Sequence, residues 1–129
     1  MLIRTLPLAL LALAACTTTS QATPPLTGSQ WTFVTIDGAA PVSSKARLTI
    51  EANRIGANVG CNGMGGDLKI EGGRLVSSGI ESTLMFCDGI MEQERAVTDL
   101  LGASPRYTIG GDRLVLESAK HRAELRRAK

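Results

Sequence analysis

Aromatic residues and histidine are scarce in this chain, and charge is never dense. Trp31, Phe33, Phe86 and Tyr107 are the only aromatic residues, and His121 is the only histidine. Four rings scattered over 129 residues do not build the stacking platforms on which proteins hold bases or sugars. The 14 basic and 12 acidic residues leave a formal charge of +2. The one basic cluster, Arg126-Arg127-Lys129, reads as a solvated chain end, so no nucleic-acid partner is expected. Cysteine is limited to Cys16, Cys61 and Cys87, with no C-x-x-C pair among them. Two cysteines and one distant histidine leave a zinc site short of ligands, so neither a metal nor a cofactor is expected. No apolar run reaches the length of a bilayer-spanning helix.

What is present begins with the N-terminus. Arg4 and the amino group supply positive charge, and Leu6 to Ala15 is apolar apart from Pro7. Small residues and a cysteine follow in Leu13-Ala14-Ala15-Cys16. The three-part layout is that of a secretory signal, and its ending resembles the lipobox of bacterial lipoproteins. That resemblance implies cleavage of residues 1–15 and diacylglycerol on the Cys16 thiol, with the acyl chains as the membrane attachment. Thr17 to Ser29, with Pro24-Pro25 and no periodicity, reads as a flexible tether, giving 16–29 as linker and 30–127 as the folded domain. In a Gram-negative host, threonine rather than aspartate after the acylated cysteine implies the outer membrane, facing the periplasm.

Beyond the tether, short strand candidates alternate with turn signals. Trp31–Ile36 is rich in β-branched and aromatic residues. Ala46–Ile50 and Arg54–Val59 flank the turn at Ala52-Asn53. Asp67–Ile70 and Arg74–Val76 flank Gly72-Gly73, and Arg106–Ile109 and Arg113–Glu117 flank Gly110-Gly111-Asp112; both arrangements predict hairpins. Ile80–Thr83 is a further short strand candidate, and Ala123–Arg126 a last, edge strand. One segment has helical periodicity: Ile90, Val97 and Leu101 share a face, with Met91, Glu94 and Thr98 alongside. Asp88 is the expected cap, Glu92 and Glu94 suit the first turns, and Gly102 and Pro105 stop the helix. The expected architecture is mainly β: a small curved antiparallel sheet or open barrel of seven to eight strands with one packed helix.

Three stretches combine into a pattern: Gly60-Cys61-Asn62, then Thr83-Leu84-Met85-Phe86-Cys87, then Met91-Glu92-Gln93-Glu94. With Trp31 before them and Arg113-Leu114-Val115-Leu116 after, they resemble the META domain family, which includes the HslJ-like bacterial lipoproteins. The motif positions carried over are Gly60, Cys61, Asn62, Thr83, Met85 and Cys87. The resemblance covers roughly Thr27 to Arg126. It implies a curved antiparallel sheet with a helix packed on it and no established enzymatic activity. Members are often envelope lipoproteins linked to heat shock, antibiotic tolerance or virulence. The chain departs from the family pattern after Gly60-Cys61-Asn62, where Gly63-Met64-Gly65-Gly66-Asp67-Leu68 stands in place of aromatic residues.

The chemistry then turns on two thiols. Cys61 and Cys87 are 26 positions apart. The export signal places them in an oxidising compartment and Cys16 is spoken for, so a structural disulfide is the first expectation. Two adjacent reduced thiols, or a reactive Cys87 activated at the start of the helix, are the alternatives. Glu81, Asp88, Glu92 and Glu94 show no spacing that marks an acid–base pair above capping and surface solvation. The glycines at 60, 63, 65 and 66 form neither G-x-G-x-x-G nor a P-loop and suit tight backbone at a sheet bend. Asn62 suits a left-handed turn or a bond to nearby backbone.

The expected function is therefore that of a non-enzymatic, monomeric envelope module supporting the cell under stress, in contact with the membrane through its acyl chains and with an envelope protein or lipid. A lipid-binding or pilotin-like chaperone is the alternative, and a thiol enzyme the third.

Overall fold

The computed structural model describes residues 2, 14, 15 and 25–129. Cys16 lies outside these residues, as do nearly all of the expected signal peptide and most of the tether. The first strand, β1 (Ser29–Ile36), buries Ser29, Trp31 and Phe33 and turns Gln30, Thr32 and Val34 outward. This is the period-2 alternation of a sheet with one covered face. Next come β2 (Arg47–Ile50), β3 (Arg54–Asn58), β4 (Gly63–Asp67), β5 (Lys69–Glu71), β6 (Arg74–Val76) and β7 (Glu81–Ser82). The helix α1 (Met91–Gly102) follows, and β8 (Arg106–Gly110), β9 (Arg113–Glu117) and β10 (Arg122–Arg127) complete the chain. The strands form one antiparallel, curled sheet in the order β5-β6-β8-β9-β10-β1-β2-β3-β4-β7.

Among the described residues the mainly β architecture with a single helix stands, and the hairpins expected at Ala52-Asn53, Gly72-Gly73 and Gly110-Gly111-Asp112 are present. The sheet has ten strands rather than seven to eight. The main addition is β4, whose sequence Gly-Met-Gly-Gly-Asp carries no alternation. Its glycines are there for proximity. A Cβ on Gly65 would lie 2.7 Å from the Ile55 carbonyl oxygen, and one on Gly66 would lie 2.1 Å from that of Gly79. Both are closer than real Cβ atoms come to main chain, so only glycine lets this strand pass so near its neighbours.

A second correction concerns the C-terminus. The segment expected at an edge, 123–126, lies inside the sheet, where β10 pairs with both β9 and β1. Trp31 faces Arg127 and Ile36 faces Ala123, with an irregularity between Phe33 and Thr35. The Arg127 guanidinium lies 4.5 Å from the Trp31 ring centroid, a cation–π contact across the strand pair.

Trp31, Leu48, Ile50, Leu114, Leu116 and Leu125 fill the concave side of the sheet. Helix α1 covers them with Ala96, Val97, Leu100 and Leu101. Asp88 does not cap the helix; its N-cap is Ile90, with no side-chain hydrogen bond. Glu92 and Glu94 in the first turn still complement the positive end of the helix dipole. Gln93 fastens α1 to the loop after β1, its Nε2 donating to the Ala40 carbonyl (2.9 Å) and its Oε1 accepting from the Val42 N–H (2.9 Å). Among the described residues no helix is long and apolar enough to cross a membrane.

Candidate functional site

The stretches that are separate in sequence meet beyond one end of β3 and β4. Gly60 turns the chain there with φ +127°, a conformation that side chains rarely adopt, and a Cβ would lie 2.7 Å from that of Ser43. Cys61 follows and is joined to Cys87, with the two Cα atoms 6.0 Å apart. Both thiols are therefore used in a disulfide.

Asn62 is the hub. It is only 1% exposed, and its side chain uses both ends of the amide. Oδ1 accepts from the Thr83 hydroxyl (2.8 Å) and from the Met85 N–H (2.7 Å), while Nδ2 donates to the Met85 carbonyl (2.9 Å) and to Glu94 Oε1. The Asn62 N–H donates to Glu94 Oε2 (2.9 Å). Of the two roles expected for Asn62, bonding to backbone is the one it takes; a left-handed turn is not used. Surface solvation does not describe Glu94, which is 5% exposed and bound to Asn62. A buried carboxylate needs such donors, because burial without them costs several kcal/mol.

The motif thus becomes a clamp. Thr83 and Met85 are held by Asn62, Cys87 by Cys61, and the whole is locked to the helix by Glu94. The Thr83 N–H also donates to the Gly63 carbonyl (3.0 Å) at the end of β4. What the clamp presents is apolar: Leu84 is 97% exposed, Met85 56% and Phe86 81%.

His121 lies elsewhere, at the start of β10. Its Nδ1 is 2.7 Å from Asp37 Oδ2, and its Nε2 is 3.8 Å from Asp99 Oδ2 on the helix. Burial works against the Asp37 charge, but the Arg122 N–H and His121 outweigh it and hold the carboxyl below the ordinary value. Beside His121 opens a cavity of about 660 Å³ lined by Ile80, Thr98, Asp99, Ser118, Lys120 and small residues. The grouping of Asp37, Asp99 and His121 had no signal in the sequence, since it depends on β1, α1 and β10 converging. Glu81 and Asp88 are exposed: Glu81 pairs with Gly65 at the edge of β4, and Asp88 directly follows Cys87 of the clamp.

A disulfide-braced clamp on a curled antiparallel sheet with one packed helix defines a small β-rich domain. The META domain model matches residues 24–129, and the chain belongs to the META domain family. Two solved structures are similar in fold. One, an NMR structure of a protein, is 20% identical, with TM-score 0.70 over 78% of this chain and 90% of its own. The other, an NMR structure of a protein from Burkholderia xenovorans, is 17% identical, with TM-score 0.64 over 85% of this chain and 95% of its own. No curated protein matches the sequence.

Proposed function

We propose that this chain is a lipid-anchored, non-enzymatic META-domain module of the bacterial envelope that supports tolerance of heat or antibiotics by binding. The observation that carries the reading is the use made of the motif residues. Cys61 and Cys87 are consumed by their disulfide, and Asn62 and Glu94 by each other and by the main chain. These are the groups from which a thiol or acid–base mechanism would be drawn, and they act as scaffold. His121 pairs through Nδ1 with Asp37 and is not part of this scaffold. The anchoring part of the proposal rests on Leu13-Ala14-Ala15-Cys16, and in a Gram-negative host Thr17 favours the outer membrane, facing the periplasm.

The carrier alternative wants a long apolar groove between sheet and helix. The cavity beside His121 is open to solvent and carries Asp99 and Lys120 among its lining residues beside Ile80 and small residues. The test is complementation under heat or apolar antibiotics, coupled to fractionation. Cys16→Ser is expected to move the protein to the soluble fraction, because stable anchoring takes more than one acyl chain and all are lost together. His121→Ala is expected to complement. A folded His121→Ala variant that abolishes complementation, or an unchanged membrane fraction for Cys16→Ser, overturns the corresponding half of the proposal.

A further inference from the structure

This inference rests on the reading of the domain as a binding module and names what it binds. We propose that Leu84, Met85 and Phe86 form a rigid docking finger for a protein whose surface offers an apolar socket bordered by lysine or arginine.

Three consecutive large apolar side chains stand in solvent on a domain that buries most of its others. The main chain that carries them is tied down. Asn62 grips the main chain of Met85 on both its N–H and its carbonyl, Thr83 is held on one side, and the disulfide holds Cys87 on the other. Contiguous exposed apolar surface marks interaction sites, and a finger already ordered loses little further entropy on binding. Three side chains are too few for a whole interface of about 800 Å² per partner, but they match the buried anchor cluster at its centre.

The charge around the finger selects the partner. No lysine or arginine occurs between Arg74 and Arg95, whereas Glu81, Asp88 and Glu92 are exposed. Arg54 shares a groove with Glu81 and answers it locally. Asp88 and Glu92 enter no ion pair among the described residues. An acidic rim complements basic groups and is repelled by the anionic surface of a bilayer.

The finger lies at the end of the sheet where Asn58 faces Gly63. Ser29, where the chain enters β1, faces Ile50 at the opposite end of the strands. The finger is therefore displayed at the end of the domain opposite the point where the chain enters β1.

The test places the photo-cross-linker p-benzoylphenylalanine at position 84 of the full chain in growing cells, with position 108 on β8 as an exposed control, and maps each adduct by mass spectrometry. The expected result is an adduct with one protein, attached in an apolar surface flanked by lysine or arginine. Phe86→Ser should reduce it about tenfold, the scale set by losing one buried aromatic. That variant should keep wild-type stability, because Phe86 makes no part of the core. Adducts with lipid alone, with a second copy of this chain, or with a polar or acidic protein surface overturn the proposal, as does a yield no higher than at position 108. Repeating the experiment in Cys16→Ser separates the two readings. If anchoring alone fails, fractionation does not change and the adduct persists; if the finger alone fails, fractionation shifts and neither chain gives the adduct.

Discussion

Glu94 receives both hydrogen bonds that Asn62 directs at the helix, one from its main-chain N–H and one from its side-chain amide, and neither residue reaches solvent appreciably. Removing either partner strands buried polar groups on the other. Asn62→Ala is expected to destabilise the domain by about 3 kcal/mol, since it leaves a buried carboxylate short of donors. Glu94→Gln should cost less, about 1–2 kcal/mol, because the amide keeps the shape and one acceptor. Urea unfolding of both single variants and the double variant measures the coupling, which should exceed 0.5 kcal/mol in magnitude for groups in direct contact, on the order given by such cycles. Additive losses would show that the pair does not act as a unit.

The disulfide closes the loop that carries the finger. In the chain-entropy description, a loop of this length contributes about 3–4 kcal/mol by restricting the unfolded chain. Cys61→Ser with Cys87→Ser should lower the urea midpoint to match, and a reductant should lower that of the wild-type protein to the same value. An unchanged midpoint under reductant would mean that the bond contributes nothing to stability.

The glycines of β4 differ in what surrounds them, so they should differ on substitution. Gly66→Ala and Gly65→Ala drive a methyl into main-chain carbonyls and should each cost more than about 2 kcal/mol, the scale of overpacking against groups that cannot step aside. At Gly63 a Cβ meets nothing within 4 Å. Gly63→Ala should be neutral or stabilising by about 0.4–1 kcal/mol, through the lower entropy of the unfolded chain. Thermal unfolding of the three variants tests the ranking.

Asp37 makes one contribution to stability depend on acidity. Its carboxyl is held below the ordinary 3.8 by the Arg122 N–H and by His121, against the opposing effect of burial. A depressed carboxylate takes up its proton in the unfolded chain before the folded one, so the contribution is complete above the unfolded value. It is lost as pH falls through the folded value. The melting temperature of the wild-type protein should therefore fall more steeply below about pH 4 than that of Asp37→Asn, with the gap between them closing as acidity increases. Parallel curves would remove the Asp37 contact from the account.

Much of this architecture follows from local pattern. Alternation at Trp31–Ile36 and Arg113–Glu117, and the turn residues of the three hairpins, specify strands whose neighbours are close in sequence. The periodicity of Met91–Gly102 specifies the helix, and the order of the three motifs points to the family. The burial of Glu94 was not legible, because a glutamate in the first turn of a helix is equally suited to solvent. Only the approach of Asn62, 32 positions away, turns it inward.

The sequence by itself determined the type of each long element and the family pattern, because periodicity and turn chemistry act over a few residues. The tertiary structure alone decided the rest. It placed β10 beside β1 in the sheet interior, since the partner of a strand is chosen by burial across the whole chain. It made a strand of Gly63–Asp67, where backbone proximity, not side-chain preference, is the governing term. It brought Asn62, Thr83, Met85 and Glu94 into one hydrogen-bonded unit and left Leu84 and Phe86 outside it. Apolar residues in a sequence read as core by default; these two are exposed because the main chain on either side of them is tied down, and that constraint exists only in three dimensions.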